Sequence, residues 1–131
     1  MSQEDIVIVG MARTPMGGLL GELTNLSATE LGAVAVKAAV KEAGVASADA
    51  IFMGNVLSAG LGQAPARQAA LKAGLDKGTQ AVTLNKMCGS GLQAVAMARQ
   101  ALLAGESDTV IAGGMESMTR APFLMSKHRA G

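Results

Sequence analysis

The single cysteine, Cys88, stands between an apolar run ending at Asn85 and a helical pattern starting near Gly89. A thiol at a strand-to-helix junction meets the positive end of the helix macrodipole and the unpaired N–H groups of the first turn. Gly89 and Gly91 beside it carry no side chain, so a substrate can approach the backbone closely. Those are the needs of a thiolate nucleophile. A buried thiol acting as a small hydrophobe fits the same position, and both readings stand on position alone.

A rival chemistry overlaps the same residues. Gly89-Ser90-Gly91-Leu92-Gln93-Ala94 fits G-x-G-x-x-A, with Glu116 roughly 20 residues further on, as in a dinucleotide-binding fragment of an oxidoreductase. Against it, the acid lies beyond Gly113-Gly114, and such a fingerprint opens a domain rather than following a third strand. Gly60-Leu61-Gly62-Gln63-Ala64-Pro65 reads as a turn into a helix. Neither G-x-x-x-x-G-K-[ST] nor G-x-S-x-G occurs. His128, the one histidine, sits in the basic stretch Lys127-His128-Arg129 and reads as solvated, as does Lys86. Glu116 fits a loop-orienting role and a surface or capping role equally. The methionines, Met115 and Met118 among them, read as packing. One cysteine allows no intrachain disulfide and argues against a thiolate metal site.

The elements that must position Cys88 follow from local signals. Ile6–Val9 is an unbroken apolar quartet, expected as a strand buried on both faces. A Gly-rich loop follows, from Gly10 to Gly21. Ser27 and Glu30 form an S-x-x-E capping box for a helix over Ala28–Ala43, with Gly44 as its stop. Its predicted apolar stripe is Leu31, Val34, Ala35 and Ala38, opposite Glu30, Lys37 and Lys41. A strand over Ile51–Leu57, weakened by Gly54, precedes a helix led by Pro65 and running to Ala73. A strand over Ala81–Asn85, a helix over Gly89–Leu103 and a strand over Thr109–Ala112 complete the pattern. The last helix is apolar almost all round and is expected to be buried on most sides. The order β-α-β-α-β-α-β predicts an α/β fold with a mostly parallel sheet, parallel crossovers and a buried helix.

Composition narrows the function classes. The 131 residues suffice for one domain. With 11 Lys+Arg against 10 Asp+Glu the formal charge is +1, and Phe52 and Phe123 are the only aromatics. That leaves neither a basic footprint nor a stacking platform for nucleic acid. No apolar run is long enough to span a bilayer and no secretory leader is evident, so a cytoplasmic location away from membranes is expected. Gly and Ala, 17 and 25 residues, make up about a third of the chain. So little side-chain bulk predicts a layer within a larger assembly.

Leu84-Asn85-Lys86-Met87-Cys88-Gly89-Ser90-Gly91-Leu92-Gln93-Ala94-Val95 closely resembles the acyl-enzyme segment of the thiolases. Ala12-Arg13-Thr14-Pro15-Met16-Gly17, Gly62-Gln63-Ala64-Pro65-Ala66-Arg67-Gln68 and Gly113-Gly114-Met115-Glu116-Ser117-Met118 agree in order and spacing. The last of these separates thiolases from ketoacyl synthases, and the short connections look most like the acetoacetyl-CoA thiolases (acetyl-CoA C-acetyltransferases). The resemblance implies a layered fold, with residues 1–119 as an incomplete N-terminal domain and 120–131 opening the excursion that covers the active site. It implies that Cys88 carries the acyl group while acetyl-CoA and acetoacetyl-CoA are made or cleaved, a reaction of lipid metabolism. Coenzyme A thioesters are then substrates, and no separate cofactor or metal is expected. It further implies a homo-oligomer, dimer or tetramer. The family's catalytic His, Asn and second Cys lie in its later half, so the chain is expected to work only with a complementary C-terminal part. His128 does not match the catalytic His segment. A catalytically silent assembly fragment is the remaining alternative.

Overall fold

The computed structural model describes residues 5–129. The first helix, α1 (Ala28–Ala43), begins where its capping box closes: Ser27 Oγ accepts from the Glu30 N–H at 3.3 Å, and the Glu30 carboxylate accepts from the Ser27 N–H at 2.7 Å. It ends at Gly44, whose φ of 68° turns the chain left-handed at no steric cost. The hydrogen bonds from Ser27 hold the Glu30 carboxyl below its ordinary range. A lowered carboxyl contributes stability above its unfolded value, lost as pH falls through the folded one. Ser27→Ala, which removes the N-cap oxygen, is expected to cost about 1 kcal/mol at neutral pH. Urea unfolding should show this gap shrinking in acid, once Glu30 is protonated in both proteins.

The buried face of α1 is not the predicted stripe. Gly32, Ala33 and Val36 face inward, while Val34 and Ala38 are exposed. The reason is proximity. A Cβ on Gly32 would lie 2.6 Å from Met115 Sδ and 3.4 Å from Ala69 Cβ, so the helix presents its smallest residues where it comes closest.

Three strands, β1 (Ala50–Gly54), β2 (Gln80–Leu84) and β3 (Val110–Gly114), form a parallel sheet in the order β2-β1-β3. In register, Ala50 faces Gln80 and Val110, and Gly54 faces Leu84 and Gly114. Helix α2 (Pro65–Ala73) returns the chain from β1 to β2, and α3 (Ser90–Leu103) carries it across β1 to β3. Right-handed crossovers in opposite directions put α2 and α3 on opposite faces of the sheet. Strand alternation agrees: Ile51 and Met53 join Val36, Ala66, Ala69, Ala70, Leu75 and Met115 in one cluster, whereas Gly54 meets Ser90 of α3.

Two further expectations differ from the structure. Ile6–Val9 is not a strand; it has no ladder partner among the described residues, and Ile8 is 81% exposed. An apolar quartet becomes a strand only when a neighbour supplies the other half of the ladder. Here the chain instead runs past the end of α1, with Gly10 against Ala39 and Ala43 and the Met11 N–H donating to Glu42. The predicted four strands are thus three among the described residues. Nor is α3 buried on most sides. Its face of Ser90, Ala94, Ala98 and Ala101 is buried, but Leu92, Val95 and Leu103 are exposed, because no described layer lies on its outer side.

Candidate active site

At the carboxyl end of β2 the chain makes a tight elbow. Asn85 Oδ1 accepts from the Met87 N–H at 3.0 Å, an Asx turn that starts the bend. Met87 then takes φ = 49°, a left-handed conformation costly for any residue but glycine. Ser90 holds the bend closed. Its Oγ accepts from the Lys86 N–H at 2.8 Å and donates to the Met87 carbonyl at 2.6 Å. The Gly89 N–H donates to the Lys86 carbonyl at 3.0 Å, and α3 begins at once with no side-chain hydrogen bond capping its first turn.

Cys88 stands on this elbow and is exposed. None of the described residues buries the thiol. Beside it, a Cβ on Gly91 would meet nothing within 4 Å, so the approach stays open. Lys86 is exposed, as expected, and its ammonium donates to Gln93 Oε1 at 3.0 Å along α3. His128 is exposed in the tail and takes no part in the elbow's hydrogen bonds.

Gly54, which weakened the strand pattern, now has a reason. Its ideal Cβ would lie 2.6 Å from Ser90 Cβ and 3.0 Å from the Gly91 nitrogen. The start of α3 rests directly on the β1 backbone. Gly54→Ala is expected to lower the unfolding free energy by about 1–3 kcal/mol and to displace the elbow. Gly91→Ala, facing open space, should leave the melting temperature unchanged or raise it. Thermal unfolding of the two variants side by side checks this.

Glu116, two residues past β3, takes the loop-orienting one of its two expected roles. Its Oε1 accepts from Asn55 Nδ2 at 2.8 Å and from the Leu57 N–H at 3.0 Å, while Oε2 accepts from the Val56 N–H at 2.9 Å. Asn55 is 2% exposed, donates its other amide hydrogen to the Met115 carbonyl at 3.2 Å, and has no partner for Oδ1. Both amide hydrogens face acceptors, so a flipped amide would be worse. Sequence reasoning missed Asn55, because no local signal ties it to a residue sixty-one positions away. An open cleft of about 390 Å³ lies beside it, lined by Asn55, Ser58, Pro65, Thr83 and Asn85. Elbow and cleft both sit at the carboxyl ends of the strands, where open α/β sheets bind their ligands.

The dinucleotide reading loses its acid, since the Glu116 carboxylate is spent on the loop after β1 rather than offered to a ribose. No cluster of three potential metal ligands occurs among the described residues, and no described helix is long and apolar enough to cross a membrane.

Residues 6–131 match the family model of the thiolase N-terminal domain, and the chain belongs to that family. It is 51% identical over 133 residues to acetyl-CoA acetyltransferase 2 of Arabidopsis thaliana, covering 100% of this chain and 33% of that protein. It is 52% identical over 127 residues to a probable acetyl-CoA acetyltransferase of Mycobacterium tuberculosis, covering 95% of this chain and 32% of that protein. The fold matches the crystal structure of Acat5 thiolase from Ascaris suum in complex with coenzyme A, with a TM-score of 0.92 at 40% identity, over 95% of this chain and 33% of that one. The chain thus spans about a third of the length of the relatives it matches.

Proposed function

We propose that this chain is the nucleophile-bearing part of an acetyl-CoA C-acetyltransferase and works with a C-terminal part that completes the site. The exposed thiol of Cys88, held on the elbow before α3 with open space at Gly91, is the observation that carries the reading. The Cys88 thiolate attacks the carbonyl carbon of acetyl-CoA; a carbon–sulfur bond to Cys88 forms and the bond to coenzyme A breaks. Coenzyme A leaves with a proton, and the acetyl group stays on Cys88. A second acetyl-CoA, having lost a methyl proton, then attacks that acyl carbon through carbon. The Cys88 thiolate departs and acetoacetyl-CoA is released. Splitting the condensation in two avoids one difficult step. Backbone N–H groups at a helix start suit the oxyanion that forms at each attack.

Coenzyme A thioesters are the substrates in this reading, with no separate cofactor and no metal. The acid/base groups come from the C-terminal part, residues 1–119 form the N-terminal domain, and 120–131 open a covering excursion. A cytoplasmic homo-oligomer in lipid metabolism completes the proposal. The names of the relatives support the activity, and the coenzyme A complex of the Ascaris suum thiolase supports the substrate class. The test is to incubate the complete protein with acetyl-CoA alone and follow coenzyme A release and acetoacetyl-CoA by mass spectrometry. Coenzyme A should equal acetoacetyl-CoA plus one equivalent for each Cys88 left acetylated. An inert protein would leave the silent assembly fragment as the better reading.

A further inference from the structure

We propose that Glu116 is a positioning residue for the acyl-transfer step: its carboxylate locks the carboxyl ends of all three strands into the arrangement that seats Cys88. This rests on the acyl-transfer reading above and adds a residue to it.

The ladder between β1 and β3 closes with the Met115 N–H on the Gly54 carbonyl at 2.9 Å. Past that bond the next links across to β1 are made by the Asn55 and Glu116 side chains. The two Glu116 oxygens collect three N–H donors from the three residues that follow β1: Asn55 through its side chain, Val56 and Leu57 through their backbones. From there the lock reaches the elbow by two short routes. In one, the Asn55 N–H donates to the Leu84 carbonyl at 2.9 Å, at the last residue of β2, and the next residue is Asn85, whose side chain starts the bend at Met87. In the other, Gly54 bears directly on Ser90, whose hydroxyl holds the bend closed.

The chemistry of the group matters as well as its place. A carboxylate only accepts, and here every donor aimed at it is neutral, so ionisation strengthens all three bonds. Glu116→Gln keeps the Oε1 acceptor for Asn55 and Leu57 but turns an NH₂ donor on the Val56 N–H. Glu116→Ala leaves all three donors without this acceptor, one of them on the buried Asn55. A graded response is therefore expected, larger in Ala than in Gln. All three contacts are with this chain's own N–H donors, so the action of Glu116 on Cys88 is indirect.

The experiment compares the complete enzyme, wild type against both variants. It measures the fraction of sites acetylated at Cys88, kcat per acetylated site, KM for acetyl-CoA, and the rate of Cys88 alkylation by iodoacetamide. Per acetylated site, kcat should fall about tenfold in Glu116→Gln and about a hundredfold in Glu116→Ala, with KM changed by less than about twofold. Alkylation of Cys88 should slow by about threefold or more in both. A brace with no positioning role would lower the melting temperature and the acetylated fraction only. Wild-type kcat per acetylated site in folded Glu116→Gln overturns the proposal, and that variant decides alone if Glu116→Ala does not fold. Should the wild-type enzyme fail to acetylate Cys88, the acyl-transfer reading falls, and the alkylation rates then decide whether Glu116 positions this thiol.

Discussion

Cys88→Ala in the complete enzyme is expected to abolish both the acetyl label and turnover, with a loss of roughly 10⁴-fold or more in kcat. The thiol is exposed and makes no packing contribution that alanine fails to replace, so the unfolding free energy should change by less than about 0.5 kcal/mol. Cys88→Ser tests the chemistry more narrowly. It keeps the size and the elbow but offers an alcohol, far harder to ionise than a thiol, so it should be nearly as inactive. Peptide mapping after incubation with acetyl-CoA should place one acetyl group on the wild-type peptide containing Cys88 and none on either variant. A Cys88→Ala protein that kept most of its turnover would remove the nucleophile from this chain.

The 131-residue chain by itself should show no turnover and should self-associate. Ile8 beside α1, 81% exposed, and Leu92 on α3, 78% exposed with Val95 and Leu103 on the same helix, are apolar surface that the described residues do not cover. The outer edges of β2 and β3 also carry no strand neighbour among the described residues. Co-expression with the remaining two thirds of a thiolase chain should yield a monodisperse complex and restore thiolysis of acetoacetyl-CoA. Light scattering and the thiolysis assay, run on both preparations, give the answer. A monodisperse, active 131-residue chain would overturn the proposal that activity requires the complementary part.

Local signals carried much of the fold into the sequence. Ser27, Glu30 and Gly44 mark both ends of α1, and the predicted helix has the observed bounds. The three strands of the sheet were legible to within three residues at either end, because each apolar run is bounded by turn residues. What the sequence hid depends on distance. Ile6–Val9 has the composition of a strand, yet a strand exists only in a ladder, and nothing within the four residues says whether one is near. The stripe of α1 was misread because periodicity rewards large apolar residues, whereas Gly32 and Ala33 face inward so that the helix can come close. In the site, the strand-to-helix position of Cys88 was readable, and its flanking glycines pointed to access. The carboxylate of Glu116 and the amide of Asn55 meet only because β1 and β3 are neighbours in the sheet, a fact of topology invisible to any local pattern.

The left-handed Met87 sets a conflict between durability and function. Holding a side-chain-bearing residue at φ = 49° costs on the order of 1–2 kcal/mol, a cost glycine would escape. Yet glycine would also free the backbone one residue before the thiol, where stiffness keeps Cys88 aimed. Selection for heat tolerance alone would draw the sequence toward glycine at 87; selection for fast turnover would hold it away. A lineage that keeps methionine there accepts a less robust protein in exchange for a thiol that does not wander.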